Sequence, residues 1–294
     1  MALYGARPYW DQRELTELLA LEVDGPGRFR SHVCDVDVHG CVYGGQLLGQ
    51  TVWAAAQGVR GQTPRVLQMS LLHDARLREA IEYSVESLQD TERFSHRHVY
   101  GVQGTGLIFS ASVAFQQIEV GLDQSFPLDL NMPAPDCLPG MDQWLSGDPQ
   151  RCRPFQLRVT EHPVLDVRPV PVKNLRRRRS ANSDVGYWVR LIEPLPYDPL
   201  LHHAALAYLS DCWLAPQRAS PLGGANSWQQ GAAGKLNHSL WFHSTEINAN
   251  EWLLFLGDPV RSRTGRDLAT TRIYQRSGKL VASMAQEILT TVRS

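Results

Sequence analysis

Two polar side chains stand where the surrounding sequence is apolar. Asp211 follows the run PLLHHAALAYLS, and Gln286 sits inside LVASMAQEIL. A carboxylate carried into an apolar element either braces a neighbouring strand or accepts a proton, because burial disfavours its charged form and strengthens it as a base. A carboxamide carries a donor and an acceptor, which either satisfy nearby backbone or hold a water molecule in place. Attack of water on a reactive carbonyl needs a positioned water, a base for its proton, and donors toward the developing oxyanion. Asp211 and Gln286 are residue types that can fill those places.

Other candidates are weaker. Gly44-Gly45-Gln46 opens an apolar run with helical spacing. Glycines at a helix start either expose backbone N–H groups to a ligand oxygen or let the helix end pack tightly on its neighbour. The run Arg176–Arg179, with Arg177 and Arg178 at its centre and Lys173 before it, reads as a solvated loop or as a patch for phosphates or an acidic protein surface. Histidines occur as His202-His203 and as His238 and His243, with no H-E-x-x-H spacing, so no metal is expected, and both strand histidines read as satisfied within their sheet. There is no G-x-S-x-G elbow, no Walker A motif and no dinucleotide-binding glycine pattern.

The elements that must carry these residues follow from periodicity. Residues 44–60 and 199–215 space their apolar side chains as helices, the second opening at Pro199 and closing at Pro216. After the first helix, 82–88, 97–102 and 107–116 alternate as strands. After the second, 236–243, 251–256, 269–275 and 280–290 do the same, with turns at Gln103-Gly104-Thr105-Gly106 and Arg276-Ser277-Gly278-Lys279. Residues 121–154 are proline-rich and without period, which predicts a linker between a domain at 1–120 and a second at 155–294. Laying Trp53 on Trp213 and Gly106 on Gly278 superposes the halves, with Thr51 opposite Asp211 and Ala114 opposite Gln286. On that comparison only the second half carries the polar pair.

Bulk properties exclude several classes. The chain has 294 residues, enough for two domains, and 29 basic against 30 acidic residues leave a formal charge of −1, so no global field favours nucleic acid or an anionic membrane. Its five cysteines (Cys34, Cys41, Cys137, Cys152 and Cys212) form no C-x-x-C pair and suit a reducing compartment. No run of 18 apolar residues predicts a membrane span, no signal peptide is expected at the start, and the final TVRS is not a peroxisomal address; a cytoplasmic protein is the default expectation.

Several ordered segments resemble one family. VYGGQLLGQTVWAA, FSHRHVYGVQGTGLIFSASVAFQ, AYLSDCWLAP, NHSLWFHSTEINANEWLLF and GKLVASMAQEI are similar, from about Arg28 to Thr290, to type II acyl-CoA thioesterases. The resemblance implies an α+β fold, a tandem (double) hot-dog of two antiparallel sheets each wrapped around a long central helix. It implies hydrolysis of an acyl thioester without a covalent intermediate, by a water oriented by an Asp, a Gln and a Thr or Ser. Carried over by position, the Asp is Asp211 and the Gln is Gln286, while Lys235 stands where the hydroxyl residue belongs and Asn237 stands at a frequent Asp. An ammonium only donates hydrogen bonds. Beside Asp211 it would weaken the base or help an oxyanion, and a lysine at a strand start also reads as having its head in water. Residues 71–77, LLHDARL, replace the family's aromatic-Leu-Arg-Pro-Gly run, either on an exposed turn or at the rim of the acyl tunnel.

The substrate so implied is an acyl-CoA or an acyl group on an acyl carrier protein, in the setting of lipid metabolism. Coenzyme A or phosphopantetheine then enters as part of the substrate, so no separate cofactor is expected. No nucleic-acid or membrane partner is expected either, and a homodimer or higher oligomer follows by resemblance. The departure at Lys235 keeps a second reading open, a double hot-dog turned to cyclase- or dehydratase-like work in a biosynthetic pathway with little hydrolysis. A third is an acyl- or carrier-binding protein without catalysis, since fold alone does not set function.

Overall fold

The computed structural model describes residues 10, 14–37, 40–77, 79–118, 132–141, 143, 164–171, 185–211, 234–258 and 261–289. The chain forms two compact units, Met1–Val120 with Leu195–Cys212, and Gly121–Pro194 with Trp213–Ser294. This is not a simple N-terminal and C-terminal division: a helical segment of the second half of the sequence is part of the first unit.

The first unit holds strands β1 (Leu21–Val23), β2 (Arg28–Ser31), β3 (Gln62–Leu71), β4 (Glu82–Asp90), β5 (Phe94–Gln103) and β6 (Gly106–Gln117). They lie in the order β1-β2-β4-β5-β6-β3, antiparallel throughout. On β6 the alternation is regular: Phe109, Ala111, Val113 and Phe115 are buried, while Ser110, Ser112 and Ala114 lie on the other face. The buried face packs on helix α2 (Gly44–Ala56). Gly101 of β5 sits opposite Phe109, where an added Cβ would run into the Phe109 ring, so a larger residue would displace the core.

Helix α1 (Leu15–Leu19) and helix α3 (Pro199–Ser210) complete this unit, and α3 packs along α2. The start of α3 is built from its sequence. Asp198 caps it, accepting from the N–H groups of Leu200 and Leu201, and Pro199 fills the first turn, where no intrahelical donor is needed. The two helices approach closely because α2 presents glycine at the contact. A Cβ on Gly45 would fall 2.4 Å from the Tyr208 carbonyl oxygen, and one on Gly49 would fall 2.9 Å from that of Ala204. Both helices stop short of the lengths their apolar spacing predicts, α2 at Ala56 and α3 at Ser210.

The second unit holds β7 (Leu165–Pro169), β8 (Val185–Leu191), β9 (Lys235–Phe242), β10 (Leu253–Gly257), β11 (Arg261–Arg263), β12 (Arg266–Gln275) and β13 (Leu280–Leu289). The order is β9-β13-β12-β10-β8-β7, with β11 folded onto β12. Every residue of β10 is buried, as the continuous run LLFLG requires. Met132, Leu138, Trp188, Trp252, Leu254 and Tyr274 build a core cluster. Toward the β7 edge, Arg168 and Arg190 lie over the Trp252 ring at 5.0 and 4.6 Å, and Asp166 pairs with both guanidinium groups at 3.1 and 3.3 Å. Among the described residues no helix is long and apolar enough to cross a membrane.

Strand β3 falls in a stretch where the sequence pattern predicts no strand. Pro64 lies at a register shift against β6, and the bulge breaks the alternation that marks the other strands.

Candidate functional site

Asp211 is the C-cap of α3, not a residue of its middle. The apolar sequence continues past it as CWLA, which is why periodicity alone extends the helix, but the helical ladder ends at Ser210. Asp211 keeps a near-helical backbone (φ −90°, ψ −6°), its N–H donates to the Leu209 carbonyl, and it is only 4% exposed. The carboxylate therefore sits at the negative end of a helix dipole and away from water.

Gln286 lies on β13 between buried Met284 and buried Ile288 and is itself 0% exposed. Its register partners are Ala269 on β12 and His238 on β9. His238 is 0% exposed as well, so two polar side chains stand side by side on an otherwise apolar face. The sequence reading treats His238 as an ordinary strand residue. The signal that singles it out is the shared phase of His238, Leu240 and Phe242, which turns all three inward.

Lys235 begins β9 and is half-buried. The β9–β13 register slips between Glu287 and Ile288, so that Lys235 pairs with buried Ile288 and Leu236 is skipped. Asn237 has a bracing role: its amide donates to the Glu287 carboxylate at 2.7 Å, and its oxygen accepts from the Glu287 N–H at 3.2 Å.

Ala114, laid opposite Gln286 by matching turn glycines, faces the opposite way from the β6 core residues, whereas Gln286 faces inward. The hairpin loops differ in length, with 104–105 between β5 and β6 and 276–279 between β12 and β13, and a one-residue offset exchanges the faces of a strand. Thr51 is buried in α2, and its hydroxyl has no hydrogen-bond partner among the described residues.

At the start of α2, the Gly44-Gly45-Gln46 segment is closely packed and braced. All three residues are buried, Gly45 is the close approach described above, and the Gln46 side chain accepts from Asp35 N–H at 2.8 Å while donating to the Val33 carbonyl at 3.0 Å. Residues 71–77 are held rather than loose: Ala75 is buried, its carbonyl accepts from Val42 N–H, and the Gln103 side chain clasps both backbone groups of Arg76 at 2.7 and 2.8 Å. Burial, aided by Asp37 and Asp74, raises the Cys41 thiol above its ordinary pKa, which suppresses the nucleophilic thiolate. Arg177 and Arg178, with the rest of their basic run, lie outside the described residues, as do Cys152, Cys212, Pro216 and most of 121–154. Among the described residues no cluster of three or more His, Cys, Asp or Glu could hold a metal ion.

Comparison with known proteins gives a consistent picture. Residues 35–116 match the family model of the acyl-CoA thioesterase N-terminal domain, and residues 132–290 match that of the C-terminal domain. Over 283 residues the chain is 26% identical to acyl-coenzyme A thioesterase 8 of Mus musculus, covering 93% of this chain and 87% of the relative. It is 26% identical to acyl-CoA thioesterase 2 of Haemophilus influenzae over 279 residues, covering 93% and 95%. Among solved structures, acyl-CoA thioesterase II TesB2 of Mycobacterium marinum superposes with a TM-score of 0.78 at 29% identity, covering 96% of this chain and 99% of that one. A hot-dog protein of unknown function from Alicyclobacillus acidocaldarius has the same fold at 16% identity, with a TM-score of 0.74 and coverage of 95% and 98%.

Proposed function

This chain belongs to the type II acyl-CoA thioesterase family, a family of hydrolases, and from that premise we propose that it cleaves acyl-CoA with Asp211 as the base and Gln286 as the group that orients water. In this reading the water oxygen bonds to the thioester carbonyl carbon while its proton passes to the Asp211 carboxylate. Collapse of the tetrahedral intermediate breaks the C–S bond, and the proton goes on to the departing sulfur. The products are a carboxylic acid and the free thiol of coenzyme A, and no acyl group is ever attached to the protein. The observation that carries the reading is the match of both family domains in order along the chain; the roles of Asp211 and Gln286 are carried over from the sequence resemblance. Their burial, 4% and 0%, supports it, because a dry carboxylate is a stronger base.

The layout we propose with it is the tandem hot-dog, with 1–120 and 155–294 as its two halves and 121–154 joining them. Each half has one long helix followed by an antiparallel run, which supports that descent. One observation favours a second reading. Lys235 stands at the position of the family's hydroxyl residue, half-buried at a bulge, and an ammonium does not accept from water. A chain so altered would hold an acyl group, on coenzyme A or on a carrier protein, with weak hydrolysis or none.

The test is thiol release. Purified protein is given acyl-CoAs from acetyl to palmitoyl, with a reagent that reports free thiol. Hydrolysis of at least one chain length is expected. Asp211→Asn should reduce it by on the order of 10²–10⁴-fold with circular dichroism unchanged. No release from any substrate removes the hydrolase reading and leaves the second.

A further inference from the structure

The last turn of a helix leaves carbonyl groups without intrahelical partners. In α3 the carbonyl of Tyr208, three residues before Asp211, accepts a hydrogen bond from the Tyr43 hydroxyl at 3.3 Å. The Tyr208 side chain is held as well: its own hydroxyl donates to the Asp35 carboxylate at 3.0 Å. Tyr43 and Asp35 are joined to one another, since the Tyr43 N–H donates to the Asp35 carbonyl at 2.9 Å. Asp35 is in turn tied to α2 through its own N–H, which donates to Gln46 at 2.8 Å. The Tyr43 and Tyr208 rings meet edge to face with centroids 5.2 Å apart, and Trp10 meets the Tyr208 ring in the same way at 6.2 Å.

All of these groups are buried, Asp35 at 1% exposure. A hydrogen bond between a hydroxyl and a carboxylate is among the stronger kinds, and a dry setting strengthens it further. Gly45 leaves no slack, because its own Cα lies too near the Tyr208 carbonyl to admit a methyl group. One residue of α3 is thus fixed through its main chain and its side chain to the start of α2. Positions i and i+3 of a helix lie on the same side, and Asp211 keeps near-helical dihedrals. Wherever Tyr208 is fixed, Asp211 is fixed with it.

We propose that Tyr43 and Asp35 are positioning residues for Asp211, acting through Tyr208. The inference rests on the reading of Asp211 as the base. A base misplaced by about 1 Å loses on the order of 10²-fold in rate, and a helix end is the place where fraying would produce such an error. The hydroxyl of Tyr43 holds the main chain of the last turn at Tyr208, and the Asp35–Tyr208 bond stops that turn from rotating. Neither residue needs to touch the substrate.

The experiment compares Tyr43→Phe, Tyr208→Phe and Asp35→Asn with wild type for kcat, KM and thermal melting, well below the melting transition of each. Ser31→Ala is the control. It removes a buried hydrogen bond to Ile81 N–H in the same unit, outside the Tyr43–Tyr208–Asp35 contacts. A fall in kcat of about tenfold or more, with KM within about twofold, is expected for Tyr43→Phe. If Tyr43→Phe does not fold, Tyr208→Phe and Asp35→Asn are read by the same standard. Wild-type kcat in the folded clamp variants, or a loss no greater than that of Ser31→Ala at equal melting temperature, overturns the inference. Asp211→Asn is assayed alongside. If it keeps wild-type kcat, the base assignment has failed and the clamp has nothing to position; if it is crippled while the clamp variants are not, only the clamp has failed.

Discussion

Gln286 on β13 and His238 on β9 face each other across one strand pair, and neither is reached by solvent. Side chains directly opposite in an antiparallel ladder have Cβ atoms about 4.5–5.5 Å apart, so the imidazole sets the immediate surroundings of the carboxamide. If Gln286 orients the attacking water, its neighbour matters to the rate. Gln286→Ala should lower kcat on the order of 10²-fold. His238→Leu, close in volume and without a polar atom, should lower it by about tenfold with the sheet retained. Thiol release at saturating acyl-CoA measures both, and full activity in either variant takes that residue out of the chemistry.

Lys235 tests how far the site has moved from its family's pattern. Lys235→Thr restores a hydroxyl at the position where the resemblance places one. If the ammonium weakens the base, hydrolysis should rise several-fold in the variant. An unchanged rate would remove the ammonium from any role in the reaction.

The contact between α2 and α3 predicts unequal costs for two glycines one turn apart. A methyl group on Gly45 meets backbone, the Tyr208 carbonyl oxygen at 2.4 Å, besides the Tyr43 ring. On Gly49 the nearest atom, at 2.5 Å, is the end of the flexible Leu19 side chain, with backbone at 2.9 Å. Gly45→Ala should therefore destabilise by about 1–3 kcal/mol, and Gly49→Ala by less. Urea denaturation of the two variants would show it, and equal midpoints would contradict the ordering.

Acid should weaken the first unit through His202. Burial lowers the pKa of this residue below the ordinary histidine value, and Asp198 only partly opposes that. The unfolded chain then binds the proton more readily than the folded one. Stability contributed by the neutral ring is present above about pH 6.5 and is lost as pH falls toward the depressed folded value. Thermal melts at about pH 7.5 and 5.5 should separate more for wild type than for His202→Gln, which cannot titrate there. Equal separations would show that burial of His202 carries no such linkage.

Periodicity made the helices and most strands legible because each buries one face and repeats every 3.6 or every 2 residues. It failed where another force decided. Strand β3 escaped because Pro64 sits at a bulge. Asp211 reads as mid-helix because apolar residues follow it, whereas the ladder stops at Ser210. Ala114 looked like the counterpart of Gln286 until the faces of their strands were compared. Asp211 and Gln286 themselves were visible as polar residues in apolar runs. The Tyr43–Tyr208 bond was not, since it joins residues 165 positions apart and no local pattern encodes it.

That separation bears on how the molecule is made. The first unit draws on Met1–Val120 and on Leu195–Cys212. Its sheet can collapse early on the ribosome, but α2 lacks its neighbour until residue 210 has emerged. Until then the phenol of Tyr43 and the carboxylate of Asp35 have no Tyr208 to meet, and the glycine-lined side of α2 is bare. At about 5–20 residues per second, the intervening synthesis takes some seconds. A nascent chain stalled before Pro199 would therefore carry an unfinished first unit, and its protection from protease should rise in one step when α3 arrives.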